Sequence, residues 1–124
     1  MKLGSKVTQE EFIGYLFHAR NCVHLHHLKV KGEGAYAAHV ALGDLYDGLL
    51  DLADTLSETA QTNSLLNIVI PESKISGSPL TYVEEVLKYI RAYRNTFPYS
   101  FQQNEIDTME LLLSKTIYKL RFLQ

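Results

Sequence analysis

Apolar residues recur along this chain at steps of three and four, broken by a few short polar stretches, which is the period of a helix with one buried face. In the first segment the row is Phe12, Leu16, Ala19, Val23, His26 and Val30. Thr8 stands ahead of it with Glu11 three residues later, the pattern of a capping box. The second row, Ala38, Leu42, Leu45, Leu49, Leu52 and Leu56, forms one continuous stripe. The third carries Leu80, Val83, Leu87, Ile90 and Tyr93 behind Ser78 and Pro79, a cap followed by a proline at the first helical position. The fourth carries Ile106, Met109, Leu113, Ile117 and Leu120, with Ser100 and Gln103, or Asn104 and Asp107, as its cap. The pattern predicts four helices over roughly 8–31, 36–62, 79–96 and 101–123.

The connections fix the arrangement. Gly32 and Gly34 separate the first two helices, and Pro98 separates the last two, so each pair is read as an antiparallel neighbour pair. Between helices two and three lies "NSLLNIVIPESKISGSP", an apolar patch followed by a Ser/Gly/Pro-rich stretch. The six residues "LLNIVI" are too few for periodicity to choose between a short helix and an extended segment. This connection is long enough to run the length of a bundle. The expectation is an all-α four-helix bundle with a long crossover between helices 2 and 3, in a single domain spanning 1–124.

Composition narrows the picture little. A chain of 124 residues builds one core without staples. Its one cysteine, Cys22, forms no intrachain disulfide, and the first residues lack the apolar stretch of a secretory signal. No apolar run reaches the ~20 residues that cross a bilayer. A cytoplasmic protein is expected. The net charge of −2 is spread over mixed charges. The N-terminal tail offers only Lys2 and Lys6, so neither gives a footprint for DNA.

The second helix holds the candidate chemistry. Opposite its leucine stripe lie Asp44, Asp47, Asp51, Asp54 and Glu58, with His39 between the two faces. Acids opposite a leucine stripe are, most simply, a solvated face. His39 and Asp54 stand roughly 22 Å apart along one helix, so they cannot share an ion within it. Two copies of the helix laid antiparallel about a two-fold near residues 48 and 49 would change this. His39 would then face Glu58 of the other copy, and Gly43 would face Asp54, with the arrangement repeated at the other end. Gly43 would let the helices approach or leave room for an ion.

The segment "HHLKVKGEGAYAAHVALGDLYDGLLDLADTLSE" resembles the central run of the Dps family, the miniature ferritins. That family has a histidine before a basic-Gly turn, a second histidine twelve residues on, and Asp-x-x-x-Glu further down the same helix. Here His27, Gly32, His39, Asp54 and Glu58 occupy those positions. The resemblance implies a ferritin-like fold and an iron site between subunits, histidines from one and acids from the other. It also implies ferroxidase activity with peroxide or oxygen, iron storage, and a homo-oligomer built on antiparallel dimers, with a closed shell as the family's assembly. Carboxylates with neutral imidazoles suit Fe(II), and also Mn(II) or Zn(II).

Three departures stand out. The family's aspartate four residues after the second histidine is Gly43, the two residues after the first histidine are Leu28 and Lys29, and the chain is short. Asp47, or the adjacent Asp44, could supply the missing oxygen, and an aspartate at 43 is expected to strengthen the site. The alternative is a non-catalytic assembly protein on the same scaffold with a degenerate metal site. Reduced chains of this kind would suit a bacteriophage genome as well as a bacterial one.

Other residues read more simply as structure. His24 shares a face with His27, and His26 on the apolar row is expected to be buried and hydrogen-bonded. His18 has no partner pattern, and Cys22 has apolar neighbours. Tyr89, Tyr93 and Tyr99, with Arg91 and Arg94, fill bundle or subunit contacts more readily than they stack bases.

Overall fold

The computed structural model describes residues 6–123; Lys2, weighed above as a phosphate contact, lies outside them. Within them are four α-helices: α1 (Gln9–Lys29), α2 (Ala35–Ala60), α3 (Pro79–Tyr93) and α4 (Ser100–Phe122). No strand occurs among the described residues.

α1 and α3 begin where the sequence offers a side-chain cap. The Thr8 hydroxyl accepts from the Glu11 N–H at 3.1 Å while the Glu11 carboxylate accepts from the Thr8 N–H at 3.1 Å. The Ser78 hydroxyl accepts from the Thr81 N–H, ahead of Pro79. α1 ends at an extended Val30, earlier than the pattern suggested, because Gly32 and Gly34 both take positive φ (91° and 79°) to turn the chain into α2. α3 ends at Tyr93, and Arg94–Thr96 tighten into a single 3-10 turn before Pro98. α4 starts from Tyr99 rather than from either cap expected of it. The Gln102 side chain accepts from the Tyr99 N–H and donates to the Thr59 hydroxyl at 3.1 Å, tying the start of α4 to the end of α2. Arg94 then staples the turn to α4 through Asp107 and Glu110, each at 2.6 Å.

The stripes face inward together. Phe12, Leu16, Ala19 and Val23 of α1, the whole α2 leucine row, Val83 and Ile90 of α3, and Ile106 and Leu113 of α4 are buried in one cluster. A fully buried leucine contributes ~1.5–3 kcal/mol, so the α2 row alone commits that helix to the core. Leu80, Val30 and Ile117, counted in the stripes, are only partly buried.

α1 packs on α2 and α3, and α4 completes the ring against the same two helices. Gln9 at the start of α1 donates to the Thr96 carbonyl beyond the end of α3, and Gln102 meets Thr59, so those four helix ends share one end of the bundle. At the other end Lys29, Gly34, Ser78, Pro79 and Leu120 line one pocket. α2 and α3 therefore run parallel. The connection 61–78 carries the chain back along α1, with Leu66 and Ile68 tucked against the core and Leu65 and Val69 outward. Its apolar run is extended, which decides the choice the pattern left open.

Candidate functional site

The Gly32–Gly34 turn brings the end of α1 against the start of α2, and two imidazoles meet there. His27 and His39 stack with ring centroids 3.6 Å apart and planes 19° from parallel. His27 Nδ1 lies 2.6 Å from the His39 carbonyl oxygen, and His39 Nδ1 lies 2.9 Å from the His27 carbonyl oxygen. A carbonyl only accepts, so both Nδ1 atoms carry the hydrogen. The lone pair of each neutral ring is left on Nε2, the tautomer that a metal-binding histidine takes when a backbone carbonyl fixes its other nitrogen.

Helix chemistry explains the pairing. The His27 carbonyl is one of the last four of α1, which have no N–H partner within the helix, and His39 supplies one. The His39 carbonyl lies inside α2, and His27 reaches it because the residue one turn on is Gly43. A Cβ at Gly43 would stand 3.2 Å from His27 Cε1 and 3.4 Å from its Nδ1. A side chain at 43 would therefore stand tight against the His27 ring, which would have to give by a few tenths of an ångström to make room for it.

Tyr46, one turn further along α2, frames the pair. It meets His27 edge-on at 5.3 Å and stacks on His24 at 4.1 Å, while the Arg20 guanidinium lies over its ring at 5.1 Å. His24 does share a face with His27, at 5.9 Å. Desolvation holds the His24 pKa below its ordinary value, helped by Arg20 and His27 and opposed by Asp47.

The acids lie elsewhere. Asp44, Asp47, Asp51, Asp54 and Glu58 are all exposed along the outer face of α2. Among the described residues no group of three or more His, Cys, Asp or Glu side chains gathers to hold a metal within one chain.

Two single-residue readings change. His26 is buried as expected, but its Nε2 has no hydrogen-bond partner. Burial holds its pKa below the ordinary histidine value. His18, which lacked a partner pattern, has Nδ1 3.3 Å from the Pro71 carbonyl oxygen and Nε2 3.6 Å from Cys22 Sγ. The tyrosines behave as packing residues: Tyr89 stacks on Tyr15 at 3.6 Å, and Tyr93 is buried. Tyr99 is half-exposed and stacks on Phe101.

The model of the family of unknown function DUF5856 matches residues 27–120. The chain belongs to DUF5856. The matched range opens on His27 and runs through α2, α3 and nearly all of α4, so it takes in His39, Gly43, Asp54 and Glu58. No curated protein and no solved structure matches the chain. For this DUF5856 member the histidine clasp is the feature whose geometry bears most directly on chemistry. Spacing alone showed which residues stood near the turn. It did not show that the two rings hold each other.

Proposed function

We propose that this chain is a Dps-like, ferritin-like bundle that binds ferrous iron between two copies, oxidises it with peroxide or oxygen, and stores it in a closed homo-oligomer. The observation that carries the reading is the clasp: two imidazoles on neighbouring helices, each with Nδ1–H tied to a carbonyl and Nε2 left to accept. The parallel course of α2 and α3, with a long return between them, supports the ferritin-like part. The exposed Asp54 and Glu58 lie too far along α2 to reach the clasp of their own chain, at ~1.5 Å per residue. An antiparallel α2–α2 pair would bring them to the partner's clasp. Two nitrogens and two carboxylates suit Fe(II), and Mn(II) or Zn(II) as replacements.

A second reading has its own observation. Gly43 gives its space to the His27 ring rather than to a ligand. A bundle that keeps the dimer and lets the clasp serve α1 and α2 alone would be a non-catalytic assembly protein.

Anaerobic titration of the purified oligomer with Fe(II), repeated with Mn(II) and Zn(II), separates the two. Saturable uptake that is lost in the Asp54→Ala/Glu58→Ala double variant, with helical circular dichroism unchanged, is the expected result. No binding to an intact oligomer removes the iron reading and leaves the scaffold. A chain that sediments as a monomer at micromolar concentration removes both.

A further inference from the structure

One row of α1 faces the returning connection, and it has a spacing of four. Glu10 Oε2 accepts the Asn67 N–H at 2.6 Å. A Cβ at Gly14 would overlap the Val69 carbonyl oxygen. His18 donates to the Pro71 carbonyl at 3.3 Å, and Cys22 Sγ lies 3.8 Å from the Lys74 carbonyl oxygen. His26 ends the row in a pocket shared with Ile75, Ser76 and Gly77. Four helical residues advance ~6 Å, and two extended residues advance ~6.6 Å, so each four-residue step of α1 meets the connection about two residues further on.

We infer that residues 66–77 form a strap that lifts from α1 as a unit while the four helices stay packed, and that this lift admits solvent and small reagents to the His18–Cys22 pair. Three observations carry it. The strap's backbone is held mainly by side chains of α1, one contact per turn, with no ladder or helix of its own. Most of its side chains point to solvent, and only Leu66 and Ile68 pack against the core. One polar atom beneath its later residues is buried without a partner, His26 Nε2, in the pocket shared with Ile75, Ser76 and Gly77. A closed strap leaves this nitrogen unsatisfied, and an open one lets water reach it, which lowers the cost of lifting. The lift needs neither a metal nor a second copy.

The device has a readout built in. Cys22 is the chain's one cysteine and is fully buried when the strap is down. His18 Nε2 is 3.6 Å from its sulfur, and because Nδ1–H is committed to Pro71, Nε2 is the accepting nitrogen. On opening, the thiol proton passes to that nitrogen or to water. The sulfur then attacks an aryl disulfide, forms the mixed disulfide and expels the aryl thiolate.

The experiment is labelling of the full-length native protein with an aryl-disulfide reagent over a series of low urea concentrations. Amide hydrogen exchange of 66–77 and of α4 is measured alongside. The expected result is native-state labelling with a shallow urea dependence, and strap amides that exchange well before those of α4. Gly14→Ala and Glu10→Ala should each speed labelling about tenfold, the change expected when one close backbone fit or one charge-assisted hydrogen bond is lost. Labelling that follows the full denaturant slope of global unfolding overturns the proposal. So does exchange of the strap together with α4, or an unchanged labelling rate in Glu10→Ala, which needs no repacking to fold.

Discussion

Removing the His39 ring tests the clasp directly, with the metal question set aside by working in chelator. His39→Ala deletes the hydrogen bond to the His27 carbonyl, worth ~1 kcal/mol. It also deletes the stacked contact, worth ~0.5–1.5 kcal/mol by analogy with aromatic pairs. Alanine's better helix propensity returns roughly 0.5 kcal/mol. The net expectation is a loss of ~1–2 kcal/mol, or a fall of roughly 4–8 °C in Tm for a domain of about this size. His27→Ala should cost a similar amount, since it gives up the 2.6 Å bond to the His39 carbonyl and the same stack. The double variant loses both bonds but the stack only once. It should therefore fall short of the sum of the singles by the worth of that stack, ~0.5–1.5 kcal/mol. Urea denaturation of the four proteins, followed by far-UV circular dichroism in EDTA, measures the cycle. Additivity within ~0.3 kcal/mol would refute ring contact. A His39→Ala variant as stable as the parent would refute the clasp altogether, and with it the tautomer on which the iron proposal rests.

Two further outcomes follow from the same geometry. Gly43→Asp should weaken metal uptake in the titration described above, because its Cβ meets the His27 ring at 3.2 Å; stronger uptake would show that the ring yields at no cost. The folded-state pKa of His26 is lowered by burial, so below the ordinary histidine value near 6.5 the unfolded chain binds the extra proton and the folded chain does not. Stability from this group is complete above that pH and falls as the pH drops through it, by at most ~1.4 kcal/mol per pH unit. His26→Leu should flatten the dependence between pH 7 and pH 5, measured as urea midpoints; an unchanged slope would place its origin in another group.

The fold was legible where periodicity is long. The stripes of α2 and α4 repeat over five or six positions each, and a helix puts such positions on one face whatever surrounds it. Boundaries were less so: Val30 and Arg94 leave the α-helix early because a glycine turn and a 3-10 turn follow them. Of the candidate site, His27 and His39 were marked by their places around the turn. Their reciprocal bonds were not, because spacing locates a Cα and says nothing about which carbonyl a ring will reach. The row Glu10, Gly14, His18, Cys22 and His26 was the hardest to read. Its partner is an extended segment without a hydrophobic period, so two of its members passed as an ordinary buried histidine and cysteine. The bond expected for His26 Nε2 failed for the same reason: the residues packed around it lie on other segments, and none supplies a partner.

The alternation of Leu66 and Ile68 inward with Leu65 and Val69 outward limits how this segment can change length over evolutionary time. Removing Asn67 while Leu66 keeps its place would turn Ile68 to solvent and bring Val69 onto the core, because side chains on an extended chain switch sides at every step. Removing or adding two keeps the sides and merely slides the segment by about one turn of α1. Chains descended from a common ancestor with this one should therefore differ here by even steps while the core packing persists. Odd steps should be confined to the exposed stretch beyond Pro71. The connection is open to insertion, but only in units set by the helix it lies on.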